Sequence, residues 1–477
     1  MGELSRRRKA LILAICCMSL LIVGMDATIV NLALRTIRDD LHTSLTDLQW
    51  TLDAYTVVIA SLLMLAGSVA DRLGRRRVFQ TGLAVFSVAS LLCSLAPTLG
   101  WLVGFRALQA VGGSMLNPVA MSIITNVFTE PRERARAIGV WGGVVGLSFG
   151  LGPVVGGALI GSIGWRAIFW INVPIGIAAL VLTAVFVPES RAARPRRLDP
   201  VGQVLVMLLL GGLTFAIIEA PRVGWLSPST GIAAGIAIVA GAVLVRYEPR
   251  RAQPLVDLRF FRSVPFTGAT VIAVCAFAAS AGFLFLTGLY LQEVRGLSPL
   301  VAGCCLLPHA AMTGLFGPIS GRLVGTVGPR RPLLLAGGLL AIGAVLLGLW
   351  SADEPYVLLI ASFAVFAAGF GLVNAPITYT AVSGMPREQA GVAAAVASTS
   401  RQVGAALGVA VIGSVFAAGV GGQLGAELVA ASRACWWVIA GCGVAVLVLG
   451  AATTGRRARA SAARTADLVA DEYTLVD

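Results

Sequence analysis

An all-α integral membrane protein is the fold class this sequence predicts, and three observations predict it. The first is composition. Of 477 residues, 57% are hydrophobic and only 12% charged, where soluble domains carry about 45–50% and about 25%. With a mean hydropathy of +0.88, disorder, a collagen-like repeat and a disulfide scaffold are excluded along with a soluble globule. The second is run length. About twenty apolar residues cross the hydrocarbon core as a helix. About fourteen such runs can be marked, at 10–33, 48–70, 78–97, 101–127, 136–160, 167–187, 201–220, 230–247, 264–291, 298–322, 332–350, 355–380, 390–418 and 434–452. They are too long and too unalternating for barrel strands, and lipid allows no third solution. The third is where the basic residues fall.

A net charge of +13 and a pI near 10.1 would point to nucleic acid in a soluble protein. Here Arg and Lys gather in short clusters between apolar runs. With the N-terminus in the cytoplasm, the inner segments hold 28 of the 36 Arg and Lys residues and the outer ones 6, with Arg106 and Arg401 inside spans. The positive-inside rule therefore puts both termini in the cytoplasm. The basic start Ser5-Arg6-Arg7-Arg8-Lys9 precedes a run too long for a signal peptide, so a retained first helix is expected. The eight cysteines lie inside apolar runs with no zinc-like spacing and read as packing residues, with no metal site.

Taken in order, the first six runs form an N-terminal six-helix bundle over 1–190. Runs seven and eight lie in a linker over 191–262 as two inserted helices. The last six form a C-terminal six-helix bundle over 263–455, and 456–477 is left as a cytoplasmic tail. The halves repeat one another. Pro131-Arg132-Glu133-Arg134-Ala135 returns 255 residues later as Pro386-Arg387-Glu388-Gln389-Ala390, and Gly67 to Arg77 returns loosely from Gly317 to Arg331. Asn117-Pro118 has a looser echo in Asn374-Ala375-Pro376. Two homologous halves in a membrane are the architecture of a secondary transporter, with its binding site near the midplane.

At these residues the chain resembles the major facilitator superfamily, specifically its fourteen-helix drug/proton antiporter branch, over about residues 10 to 452. Met25-Asp26-Ala27-Thr28-Ile29-Val30-Asn31 resembles the branch's first-helix signature, and Gly67 to Arg77 the loop signature of the whole superfamily. Gly146, Gly150, Gly152, Pro153, Gly156 and Gly157 resemble the antiporter signature of the fifth helix. The stretches Trp165 to Gly176 and Leu291 to Pro299 are also typical of the branch. The departures are Gly321, where the second loop copy would carry an acid like Asp71, and Arg35, where the family pattern has proline. The resemblance implies a major facilitator fold and multidrug efflux. It assigns Arg106 a part in proton coupling and Asp26 a place in the first-helix motif.

Charged side chains within spans cost about 2.5–3.5 kcal/mol each on insertion scales, so each needs a reason. Asp26 lies in the outer half of the first helix, and Asp53 and Arg106 enter the second and fourth from the same side. Their similar depth predicts a carboxylate–guanidinium cluster lining one cavity. Arg106 cannot give up its proton, so it would hold a carboxylate ionised until rocking separates the two. The competing reading of Asp26 is a structural lock, and of Asp53 a solvated vestibule acid. Glu219 closes the first inserted helix and joins the coupling candidates, with a solvated helix end as its competing reading.

In the loop, Gly74 permits a tight reversal, and Asp71 can pair with an Arg or a helix N-terminus. Gly67, Asp71, Arg72, Gly74 and Arg76 are therefore expected to gate the inner face; a basic anchor on an anionic leaflet is the alternative. The fifth-helix glycines allow close helix approach, and Pro153 a bend. Asn31, Phe283, Phe285, His309, Phe366 and Asn374 are candidates for the substrate cavity, since aromatic walls suit bulky amphipathic or cationic compounds; plain packing competes for each.

The leading expectation is a proton-coupled exporter of hydrophobic or cationic drugs and antibiotics, working by alternating access. Its energy source is a proton gradient, with no cofactor. A second reading on the same fold is an exporter of a specific metabolite, lipid or siderophore. A third, of another class, is a membrane-embedded sensor or enzyme, disfavoured because no His/Asp/Glu cluster has catalytic spacing and no sizeable soluble domain is present. Expected partners are a small-molecule substrate, protons and the lipid bilayer, with no nucleic acid and no obligate protein. The expected location is a plasma membrane, as a multi-pass bacterial inner-membrane protein.

Overall fold

The structure is a computed structural model that describes residues 5–192, 198–251, 254–255, 257–349, 355–383, 385, 390–419, 426–455, 457–458 and 460–465. The second copy of the repeat at 386–389, the basic stretch 193–197 and the tail beyond 465 lie outside the described residues.

Among the described residues, sixteen α-helical segments run in chain order: α1 (Arg6–Leu41), α2 (Leu45–Leu73), α3 (Arg75–Ser94), α4 (Leu99–Val127), α5 (Pro131–Ser162), α6 (Ala167–Trp170), α7 (Asn172–Phe186) and α8 (Pro200–Val223). Then come α9 (Pro228–Tyr247), α10 (Val264–Leu289), α11 (Pro299–Cys305), α12 (Leu307–Val327), α13 (Arg330–Gly348), α14 (Tyr356–Val382), α15 (Ala390–Gly419) and α16 (Ala426–Thr453). Among the described residues there is no strand, and thirteen helices are long and apolar enough to cross a membrane. The long α5 contributes a further apolar stretch over Leu147–Ser162. Each expected run thus finds its helix.

Two rods expected as continuous are interrupted. Between α6 and α7 the break at Ile171 precedes Pro174, which has no N–H for the Trp170 carbonyl. Between α11 and α12 it falls at Leu306, where Pro308 likewise cannot donate to Cys304. A π-helical turn, Tyr290–Val294, ends α10. The first helix outruns its apolar core: α1 continues through Arg35, Arg38 and Asp39 until His42 caps it in the left-handed region (φ 49°). Ser44 then starts α2 with a capping box, its hydroxyl accepting from the Asp47 N–H at 3.2 Å while Asp47 accepts from the Ser44 N–H at 3.3 Å.

The chain forms two compact units. The first comprises Met1–Gln203 with Leu291–Leu307. Its core is built from α1–α4 and α7, with Ile12, Ile15, Phe79, Leu83, Phe86 and Leu116 all fully buried. The second comprises Val204–Tyr290 with Pro308–Asp477. Here α10 packs against α14, α15 and α16, and α13 lies against α14 and α16. The Ser320 hydroxyl ties α12 to α14 through the Leu372 carbonyl (2.6 Å). The inserted hairpin α8–α9 closes on small residues, Gly212 lying against Ala233 and Ala237. The Ser414 hydroxyl secures α8 to α15 by donating to the Ile217 carbonyl at 2.6 Å. Ile232, Ile238, Val239 and Val245 of α9 are exposed, as lipid-facing side chains are.

Candidate functional site

Five helices of the first unit deliver polar groups to one sealed point. Asp26 of α1 is 0% exposed and Arg106 of α4 1%. Arg106 Nη1 donates to Asp26 Oδ2 at 2.5 Å and to Gln109 Oε1 at 2.6 Å, while its Nε donates to the Thr51 carbonyl of α2 at 3.1 Å. Gln109 Nε2 donates to Asp26 Oδ1 (2.9 Å) and Ser90 Oγ of α3 (2.6 Å). Asn172, the first residue of α7, reaches the same two oxygens at 3.1 and 3.3 Å. The Tyr55 ring covers the guanidinium at 4.1 Å and Phe169 stands at 5.8 Å. The two charges thus cancel at contact distance, and three donors converge on one carboxylate, which is what a buried ion pair requires.

The expected three-member cluster is a two-member one. Asp53 is fully buried, but its Oδ1 accepts only from Thr56 of its own helix at 3.5 Å. Its Oδ2 has no hydrogen-bond partner among the described residues. The reason is helical geometry: Tyr55 faces Arg106, and a residue two positions away points elsewhere. The members that sequence reasoning missed are Ser90, Gln109 and Asn172, neutral groups hidden in apolar runs. Gln109 had one signal, its place three residues past Arg106 on the same helix face. Asn31 turns back on α1, donating to the Ala27 and Thr28 carbonyls at 3.3 and 3.4 Å.

Between α2 and α3, Gly74 holds φ 114°, a conformation L side chains rarely adopt. Asp71 accepts from Arg75 at 3.0 Å. Glu189, beyond α7, accepts from the Arg76 N–H (3.1 Å) and lies 3.7 Å from the Arg77 guanidinium. A Cβ on Gly74 would run into that carboxylate (2.6 Å). Two backbone bonds, from the Arg75 N–H to the Ser190 carbonyl (2.9 Å) and from the Ala192 N–H to the Asp71 carbonyl (3.1 Å), complete the anchor. Glu189 was not anticipated. Gly67 has open space around it, and Arg72 is exposed.

The fifth-helix glycines serve contact. On α5, Gly152 lies against Thr28 and Gly156 against Ile29 of α1. Gly157 meets the backbone of Pro299 and Leu300, and reciprocally Gly303 of α11 meets the Pro153 carbonyl. Gly150 is half-buried on the same helix, and the surroundings of Gly146 lie outside the described residues. Charge pins this α11 segment as well. Glu293 accepts from Arg38 at 2.7 Å and lies 3.7 Å from Arg35, whose Nη1 donates to the Gln292 carbonyl at 2.5 Å. Gln292 Nε2 in turn donates to the Leu32 carbonyl at 3.0 Å.

In the second unit, Phe283 and Phe366, expected to face a cavity, are buried in stacked packing instead (4.6 Å between centroids), and Phe285 is buried too. His309 is buried and stacks on Phe283 at 4.9 Å; its Nε2 has no hydrogen-bond partner among the described residues. Apolar side chains at this density satisfy one another before they line a void. Asn374 is half-buried on α14. Glu219 pairs with Arg222 of the same helix at 2.8 Å.

This arrangement of helices is shared with known proteins. The family model described as Major Facilitator Superfamily matches residues 16–409. The chain is 38% identical over 404 residues to the "Tetracenomycin C resistance and export protein" of Streptomyces glaucescens, covering 84% of this chain and 74% of that one. It is 36% identical to the "Multidrug resistance protein Stp" of Mycobacterium tuberculosis, with the same coverage. It is also 36% identical to the "Multidrug efflux pump LfrA" of Mycolicibacterium smegmatis, covering 85% and 80%. A bacterial homologue of the human lysosomal transporter Spinster, solved inward-facing and unoccupied, superposes with a TM-score of 0.65 at 18% identity, over 97% of this chain and 98% of that one. With its membrane-spanning helices and bacterial relatives, this is a multi-pass protein of a bacterial plasma membrane. The chain belongs to the major facilitator superfamily of transporters.

Proposed function

We propose that the protein is a proton-coupled exporter of hydrophobic or cationic drugs and antibiotics, with both termini in the cytoplasm and two halves alternating access to a small-molecule substrate. It acts as a transporter and not as an enzyme, and needs no protein partner. The relatives named for drug resistance and export support the substrate class. The observation that carries the coupling is the sealed Asp26–Arg106 pair, bridged by Gln109 and Asn172. In the pair, the Asp26 carboxylate faces the Arg106 guanidinium at contact distance. A conformational change that draws Arg106 away leaves an isolated carboxylate at membrane depth, and taking up a proton removes the cost of about 2.5–3.5 kcal/mol.

Asp53 and Glu219 are further carboxyls of the coupling set. Asp53 has no cation within ion-pair distance among the described residues. The α2–α3 loop, with Gly67, Asp71, Arg72, Gly74 and Arg76, is read as the inner gate, and the fifth-helix glycines as a close interface that keeps water out during rocking. Asn374, half-buried on α14, supplies a polar point for substrate.

Energised inside-out vesicles test this. Adding ethidium should release protons from the lumen through the wild type, and Asp26→Asn or Arg106→Ala should abolish that release. Transport that persists after the pH difference and voltage are collapsed would overturn proton coupling. Unchanged coupling in both variants would remove the pair from the mechanism.

A further inference from the structure

The spans α10, α12, α13, α14 and α15 contain no Asp or Glu. Yet α15 carries Arg401, eleven residues past Ala390, or about 17 Å of helical rise. It therefore lies in the inner half of the span, with eighteen residues of helix beyond it. All its partners among the described residues are neutral. Nη2 donates to Thr378 Oγ1 (2.5 Å) and the Asn374 carbonyl (3.5 Å) of α14, and the guanidinium stands 6.0 Å from the Phe277 ring of α10. Its Nε is buried with no partner among the described residues. Arg106 shows what a settled guanidinium looks like in this protein; Arg401 has no such carboxylate among the described residues.

Nor is the place sealed. Arg401, Phe277 and Asn374 are half-buried and Thr378 is exposed. A charge at this depth faces the bundle interior or water, not lipid, so the missing anion has access. A cation–π contact of about 0.5–2 kcal/mol does not offset an uncompensated charge there. Phe277 continues edge-on into Phe370 at 5.1 Å, so an aromatic wall adjoins the cation.

We propose that Arg401, Asn374, Thr378 and Phe277 form a recognition site for the acidic group of an aromatic substrate. A carboxylate or acidic enol would take the free guanidinium hydrogens, the Asn374 amide would be a second donor, and the attached ring would lie along Phe277. This rests on the exporter reading and adds to its substrates compounds with an acidic group on an aromatic system.

The test uses the purified full chain in phosphatidylcholine nanodiscs and three matched probes: 2-naphthoate, 2-naphthalenemethanol and 2-naphthylmethylammonium, titrated by calorimetry. Naphthoate should bind at least about tenfold tighter than the alcohol, the scale of one charge-assisted bidentate contact. Arg401→Gln should reduce that ratio to near one, and Arg401→Lys, which lacks the planar fork, should give an intermediate value. Should Arg401→Gln not purify as a monodisperse protein, Asn374→Ala and Thr378→Val carry the test, each reducing the ratio about threefold.

An unchanged ratio in the variants, no preference for naphthoate in the wild type, or no binding of it overturns the proposal. So does a loss of naphthoate binding in phosphatidylglycerol discs, which would assign the cation to lipid. Ethidium export driven by a pH gradient is measured on the wild type alone. If that export is absent the exporter reading fails, while the naphthoate preference is judged by its own result.

Discussion

Inside the span, the Asp26 carboxylate accepts from Arg106, Gln109 and Asn172. Removing one partner of a buried pair strands the other, at about 3–5 kcal/mol. Asp26→Asn should therefore lower the thermal unfolding midpoint in detergent as well as abolish coupling. Adding Arg106→Gln should restore much of the midpoint, since no charge is then stranded, while coupling stays lost. A midpoint that falls further in the double variant would contradict this account. At the loop, Gly74→Ala combines an unfavourable φ with a Cβ placed against the Glu189 carboxylate. A strain of about 1–3 kcal/mol should loosen the anchor, read as faster tryptic cleavage at Arg75, Arg76 and Arg77. The charged pair could be found from sequence because charges stand out in apolar runs. Ser90, Gln109 and Asn172 could not, since one neutral polar residue in a helix looks like any other until its neighbours are known.

At the scale of elements, α11 shows how a short helix is held. Its backbone comes close to α5 only because Gly157 and Gly303 have no side chain at the contact, and small residues are what let helices approach. Its N-terminal approach is fixed by Glu293 against Arg38 and Arg35. Glu293→Arg should place like charges together and lower the unfolding midpoint, and Arg38→Glu in the same chain should recover part of the loss. If the charge swap recovers nothing, the contact is held by the glycines alone. Helix positions were legible because about twenty apolar residues leave little choice in lipid. The breaks at Ile171 and Leu306 were not, although Pro174 and Pro308 were visible. Many helices here carry a proline without a break, as α4 does at Pro118 and α14 at Pro376, so the residue alone does not decide.

At the scale of the whole molecule, chain order and compact units do not coincide. The repeat at an offset of 255 residues divides the sequence into halves, yet the first unit takes in Leu291–Leu307 from beyond the inserted helices. Nothing in hydropathy marks that exchange. It arises from contacts, since the face of α5 at Pro153 and Gly157 and the arginines of α1 find their partners in this distant segment. A consequence can be measured. Cutting the chain between α9 and α10, within residues 251–257, leaves the first fragment with α1–α9 but without the segment that covers α5. Alone, it should be poorly stable in detergent, with Arg35 and Arg38 lacking Glu293. Co-expressed with the second fragment it should co-purify through a tag on either piece and regain pH-driven ethidium export, because the missing cover is restored non-covalently. A first fragment that is equally stable with and without the second would mean that Leu291–Leu307 is not part of its fold. Co-purification that survives Glu293→Arg but is lost in Gly157→Leu would assign the attachment to the close backbone contact and not to the ion pair.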